Sequence, residues 1–220
     1  MIDIKKVSVM NLDNAIRGMR NAHESWDKSD SSYCTCISPN CDECRIFNKE
    51  ECVFFGSTPY MIGEKDLGLA RSLVKAGTDH SKFMRQILVS MDITAPRLWW
   101  CEADTYKVAT VANSTSTMHT LTKAPITKEL FSFNEDTTAT NEIVQWCEYY
   151  RLMYKKTGDK KYWRTLIEIL PQSFNQSRTW TANYQVLRNI YKARKGHKLE
   201  EWNKFVEVIE TLPYSELIIM

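Results

Sequence analysis

From Ile87 to Thr94 apolar and polar positions alternate. Ile87, Val89, Met91 and Ile93 fall on one side, and Leu88, Ser90, Asp92 and Thr94 on the other. A period of two is the pleat of a β-strand, so this stretch predicts a strand with one well-buried face. Pro96 has no amide hydrogen for a ladder and should stop it near Ala95. A weaker alternation over residues 1–12, on Ile2, Ile4, Val7 and Val9, predicts an edge strand. Elsewhere the apolar period is helical. One short helix is expected from Asn11 or Asp13 through Met19, and another from Glu64 to Ala76, where Leu67, Leu69, Ala70, Leu73 and Val74 recur and Gly77 is a natural stop. After Pro125 the chain reads as mostly helix: Glu142 to Tyr154 with an end at Gly158, Lys160 to Leu170 closed by Pro171, Tyr184 to Arg194, and Leu199 to Leu212. Their inward stripes carry Leu166, Leu187, Ile190, Tyr191, Trp202, Phe205 and Ile209, and aromatics at that spacing are ordinarily core.

Behind the central strand the pattern changes. Two tryptophans are trailed by Glu102, Asp104, Tyr106 and Lys107, then by Thr110, Asn113, Ser114, Thr115, Ser116 and Thr117. Such a run cannot fill a core, because each buried hydroxyl or amide needs a partner. It is a solvated loop or the lining for a polar ligand. Near the start, Arg17 and Arg20 are three apart and share a helical face, either as solvated cations or as an anion contact.

Composition narrows the classes. The chain has 220 residues, 43% hydrophobic and 25% charged, and no proline-, glycine- or serine-rich linker divides it, so a single domain is expected. Net charge is +2, with basic residues scattered among acidic ones, which argues against a nucleic-acid polymer as partner. No apolar run reaches the roughly 18 residues a membrane span needs, and the first residues lack the continuous apolar core of a signal peptide, so a cytoplasmic location is expected. Five of the seven cysteines, Cys34, Cys36, Cys41, Cys44 and Cys52, crowd into a segment at about 31–56 that reads as an inserted loop. In a reducing compartment they imply metal or free thiols rather than disulfides. Cys34, Cys36, Cys41 and Cys44 offer four thiolates, enough for tetrahedral zinc; the other reading is reduced thiols without metal. Cys101 and Cys147 are expected to be small core residues.

No GxSxG, HExxH, Walker loop or dinucleotide GxGxxG is present, and seven glycines leave little room for a phosphate-cradling loop. Catalysis would rest on a bound cofactor or on polar groups gathered from distant segments. His80, beside Lys82 and Arg85, reads alone as a surface histidine. Asn183, Asn189 and Arg194 read separately as helix surface, and Arg194 near a helix C-terminus has a simple electrostatic explanation.

Taken together, these positions resemble the flavin-dependent thymidylate synthases, over about residues 64–212 and the AIRGMR helix. The strand ILVSMDITAP, entered after Gly77 and His80, is similar to that family's central strand. The segment ILPQSFNQSRTWTANYQVLRNIYKARKGHKLEEW is similar to its C-terminal block, with Leu170-Pro171, Asn183, Asn189 and Arg194 at the matching places. The resemblance implies an α+β fold, a central mostly antiparallel sheet packed with helices. It also implies FAD held with the help of His80, Asn183 and Asn189, and a uracil ring read by Arg194. Lys107, Thr110, Ser114 and Ser116 would meet phosphate or ribose. The family reaction is reductive methylation of dUMP in a homotetramer whose active sites combine several subunits. One departure stands out. Where the family carries an arginine-histidine-arginine motif and then a serine and an arginine, this chain has Thr105-Tyr106-Lys107, then Thr115 and Thr117. A charge-assisted hydrogen bond to phosphate is worth about 1.5–3 kcal/mol, and each missing cation forfeits that much. The alternatives are therefore a non-catalytic nucleotide-binding or nucleotide-sequestering protein on the same scaffold, or a zinc-stabilised structural protein.

Overall fold

A computed structural model gives the architecture; the structure describes residues 2–34 and 60–220. In chain order the elements are β1 (Asp3–Met10), α1 (Leu12–Met19), β2 (Ser32–Tyr33), β3 (Tyr60–Met61), α2 (Glu64–Ala76), β4 (Leu88–Pro96), α3 (Arg97–Ala103), β5 (Val111–Ser114), α4 (Thr117–Thr120), α5 (Thr138–Thr157), α6 (Lys160–Ile169), β6 (Asn175–Asn183), α7 (Tyr184–Arg194), α8 (Glu200–Glu210) and α9 (Glu216–Ile219). The main sheet is antiparallel with four strands in the order β1-β4-β6-β5, and helices pack on it, as the α+β expectation required. Two compact units form. One is Met1–Ser8, Ser90–Ala182 and Ala193–Glu207; the other is Val9–Val89, Asn183–Lys192 and Val208–Met220.

The first unit is organised by the sheet. On β4 the alternation holds to its end: Met91, Ile93 and Ala95 are buried, while Ser90, Asp92 and Thr94 lie on the partly open face. That face is tied to β6 by hydroxyls. Thr94 and Ser177 meet at 2.6 Å, Thr179 donates to the Asp92 carboxylate at 2.6 Å, and Thr181 donates to Ser90 at 3.1 Å. The Thr179 hydroxyl, with Lys6 behind it, holds the Asp92 carboxyl below the usual carboxylate range. On the buried side Trp99, Trp100, Trp180, Trp202 and Phe205 make an aromatic cluster, with Trp99 and Trp202 centroids 4.9 Å apart. A second core, of Leu121, Ile126, Phe131, Cys147, Leu166, Leu170 and Phe174, is closed by the α5–α6 hairpin. Helix α5 starts four residues before the expected Glu142, because Thr137 and Thr140 form a reciprocal capping box there. Pro96 ends β4 as expected, and the first amides of α3, on Arg97 and Leu98, donate to the carbonyls of Phe174 and Gln172.

Cys147 is the buried core thiol that was expected, and burial pushes its pKa up to about 11. Cys101 is not: it lies exposed on α3. Successive helical residues are rotated by about 100°, so a position next to two buried tryptophans is carried out to solvent. Alkylation with iodoacetamide at pH 8, mapped by mass spectrometry, should therefore modify Cys101 within minutes and leave Cys147 untouched until denaturant is added. Equal labelling of both in the folded protein would contradict this arrangement.

In the second unit α2 is fixed at its N-terminus from outside the helix. The Asp30 carboxylate accepts the amides of Lys65 at 2.9 Å and Asp66 at 3.1 Å, using donors that no intrahelical carbonyl can reach. A Cβ on Gly63 would run into Asp30, so only glycine permits this approach. Asp66 is fully buried beneath that cap and paired with buried Arg20 at 2.5 Å. Arg20 is thus neither solvated nor open to an external anion, as its sequence context had allowed. Arg17 stays exposed, its guanidinium carbon 5.7 Å from the Trp26 ring centroid. Helices α7 and α9 complete this unit, with Tyr184 donating to the Pro213 carbonyl at 2.5 Å and Arg188 to that of Leu217 at 3.0 Å. Among the described residues no helix is long and apolar enough to cross a membrane.

Candidate functional site

The polar stretch after β4 is folded in its first half. Helix α3 continues into a 3-10 turn, Asp104–Tyr106, which sets Glu102 and Tyr106 one helical turn apart. From the other direction α7 delivers Arg194 at its last position, and Gly196 reverses the chain with φ 72°, a region unfavourable to other residues. Helix α8 then presents Trp202.

These residues converge on Arg194. Its Nε donates to the Tyr106 hydroxyl at 3.0 Å and its Nη1 to Glu102 Oε2 at 2.6 Å. The guanidinium carbon lies 4.6 Å from the Trp202 ring centroid and 5.6 Å from that of Tyr106, within the range for cation–π attraction. Trp202 Nε1 donates to the same Glu102 oxygen at 2.9 Å, and His197 Nε2 lies 3.1 Å from Nη1. The arginine is thereby held in one plane and one orientation. Of its five N–H donors, the two on Nη2 have no partner among the described residues. A second cation is fixed in the same way. Arg178 on β6 lies 4.1 Å from the Trp100 centroid, donates to Asp104 at 2.7 Å and to Gln176 Oε1 at 3.1 Å.

Other expected site residues fall as follows. Lys107 is exposed and next to Tyr106, and Thr110 closes the turn by donating to the Tyr106 carbonyl at 2.9 Å. The structure thus brings Lys107 and Thr110 to the segment that holds Arg194. Ser114 ends the exposed strand β5, and Ser116 precedes α4, its carbonyl accepting the amides of His119 and Thr120. In the second unit His80 is exposed in a turn, and Asn189 is exposed on α7, where it accepts from Gln185 at 3.2 Å. Asn183 is buried and caps α7, its Oδ1 accepting the Val186 amide at 2.9 Å, so its amide nitrogen is the donor left for a ligand. Of the four cysteines read as zinc ligands, Cys36, Cys41 and Cys44 lie outside the described residues; Cys34 is half-buried. Among the described residues no group of His, Cys, Asp and Glu is arranged to hold a metal ion. Sequence reasoning missed Glu102 and Arg178 as functional candidates and placed Trp202 only in the core. A carboxylate following two tryptophans was visible, but nothing local linked it to Arg194.

No protein-family model and no curated protein matches this sequence. Solved structures do resemble the chain. Thymidylate Synthase X (ThyX) from Helicobacter pylori, with FAD and dUMP, is similar over 99% of this chain and 96% of its own, with a TM-score of 0.69 and 16% identity. A second structure of the flavin-dependent thymidylate synthase ThyX from Helicobacter pylori, complexed with FAD and dUMP, covers 98% of each chain with a TM-score of 0.69 and 17% identity. The fold is that of the flavin-dependent thymidylate synthases. On this thymidylate-synthase scaffold, Tyr106 stands where the sequence resemblance placed a histidine, and it is the ring on which Arg194 leans.

Proposed function

We propose that this protein is a diverged flavin-dependent thymidylate synthase-like protein acting on a pyrimidine nucleotide, with Arg194 as the residue that reads the base. The observation that carries the proposal is the state of that guanidinium. It is immobilised by Trp202, Tyr106 and Glu102, yet keeps the Nη2 donors uncommitted at a partly open surface. An arginine fixed in advance loses little rotamer entropy on binding, and its planar fork suits a ring carbonyl. The whole-length likeness to proteins solved with FAD and dUMP supports the ligand class. FAD, when bound, supplies redox and one-carbon chemistry that side chains lack. His80 and Asn189 are exposed and suited to hydrogen-bond it, and the Asn183 amide nitrogen is the remaining donor there. Lys107, Thr110, Ser114 and Ser116 would meet the phosphate or ribose, and the same reading implies a homo-oligomer.

Arg194→Ala should raise the Kd for dUMP by about ten- to a hundredfold, the range for losing a hydrogen bond to a charged group. Titration calorimetry checks this, and an unchanged Kd would refute the assigned role. A yellow purified protein whose flavin absorbance bleaches under reduced nicotinamide marks the enzyme. The loss of two of the family's fixed cations along residues 105–117, with Lys107 the only replacement, favours a second reading, a nucleotide binder without catalysis. It would be colourless, with a Tm raised by nucleotides but not by FAD.

A further inference from the structure

The ion pair that steadies Arg194 uses only half of its capacity. Glu102 commits one oxygen, Oε2, to both Arg194 and Trp202; Oε1 accepts nothing among the described residues. Arg194 is in the matching condition at Nη2. Because Oε2 and Nη1 are joined at 2.6 Å, the open acceptor and the open donors sit on one ion pair. Both groups are partly open, with the side chains 30% and 16% exposed.

This pairing says what kind of ligand atom belongs there. A phosphate would meet the carboxylate as well as the guanidinium, and like charge at that range is repelled. A neutral group that shows an N–H beside a carbonyl satisfies both partners. The uracil ring has that edge, with its N3–H flanked by two carbonyl oxygens. We propose that Glu102 is a specificity-determining residue, accepting the N3–H of a uracil base while Arg194 donates to the adjacent carbonyl. The inference rests on the pyrimidine-nucleotide reading above and assigns the second half of the recognition to a residue of its own. Trp202 and Tyr106 keep the two halves in register, since each bonds to one member of the pair.

The test compares dUMP with its N3-methylated derivative, which lacks the donated hydrogen, by titration calorimetry on the full chain. Three proteins are measured: the unaltered chain, Glu102→Met, which has no acceptor at the corresponding position, and Glu102→Gln, which keeps a neutral one. The methyl group adds its own steric penalty in all three, so the informative quantity is the change in preference between proteins. In Glu102→Met the preference for dUMP should shrink by about ten- to a hundredfold, because dUMP binding weakens by more than binding of the methylated ligand does. Glu102→Gln should recover part of it, because a neutral acceptor makes a hydrogen bond roughly half as strong as a carboxylate does. Equal weakening of both ligands would mean that Glu102 only positions Arg194, and an undiminished preference in either variant would also overturn its role. If Glu102→Met does not fold, judged by its thermal transition, Glu102→Gln decides alone, since its preference must fall. Absence of dUMP binding to the unaltered protein would instead sink the pyrimidine-nucleotide reading, and this inference with it.

Discussion

Replacing Asp66 with alanine is expected to destabilise the protein by about 3–5 kcal/mol, the cost of leaving a buried charge without its partner. Arg20 is buried, and Asp66 provides its only carboxylate among the described residues, at 2.5 Å; the Ser25 carbonyl and hydroxyl, at 3.3 and 3.5 Å, are weaker substitutes. The same substitution removes the acceptor of the Ser29 and Ser31 hydroxyls, which donate to Asp66 Oδ2 at 2.6 and 2.5 Å. These serines flank Asp30, whose carboxylate caps α2, so the cap should loosen together with the pair. Burial alone would push the Asp66 carboxyl up, but the two hydroxyls and the Arg20 guanidinium outweigh it and hold it below the ordinary range. A lowered folded-state pKa means that this contribution is complete above about pH 4, the unfolded carboxylate value. It is lost as pH falls through the lowered value. Urea titrations at pH 7 should show the loss in Asp66→Ala. A pH series should show a shallower acid limb for the variant than for the unaltered chain. Parallel acid limbs would mean that Asp66 is not a proton-linked support.

How much of this was legible depended on whether a pattern stayed local. Strand β4 was readable because Val89, Met91, Ile93 and Ala95 all point into apolar surroundings, so hydrophobicity repeats with the pleat. Strand β6 was not. Its buried-side positions begin with Gln176 and Arg178, and Arg178 covers Trp100 with its guanidinium stack rather than with an apolar side chain. Only Trp180 and Ala182 carry a hydrophobic signal, too few to show an alternation. Strand β5 is exposed along its whole length, so no burial pattern marks it in the sequence at all. Helix α9 was missed because four residues are about one turn, too short for a helical period, although Leu217 and Ile218 are fully buried.

The candidate site divides along the same line. Arg194 was found because it closes a helix whose period is plain and because a family resemblance pointed to it. Glu102 and Trp202 lie 92 and 100 positions apart from their partners, Arg194 and Glu102 respectively, and no periodicity reaches that far. What could have raised suspicion is chemical: a carboxylate and an aromatic hydroxyl at i and i+4, Glu102 and Tyr106, directly behind two tryptophans that must be buried. A carboxylate emerging from such a place needs a cation or an N–H donor. The arrangement found supplies one of each.

Trp202 is where stability and recognition meet, and its truncation to alanine should cost about 3–5 kcal/mol. The ring is fully buried and touches three aromatic neighbours, Trp99 at 4.9 Å, Phe205 at 5.8 Å and Tyr106 at 6.1 Å between centroids. Its loss opens a cavity in the aromatic cluster beside β6 and removes the face against which Arg194 is held. Trp202→Phe separates the two roles. It retains an aromatic ring for the core but lacks the Nε1 hydrogen that pins Glu102 Oε2 at 2.9 Å. Losing one hydrogen bond to a charged group costs about 1.5–3 kcal/mol, so the thermal midpoint should fall less than in the alanine variant. Glu102, held then by Arg194 alone, should swing more freely, and the affinity for dUMP should drop in Trp202→Phe by more than its stability explains. Urea denaturation paired with titration calorimetry on both variants measures the two effects separately. Full dUMP affinity in Trp202→Phe would show that the indole hydrogen plays no part in holding the reading edge.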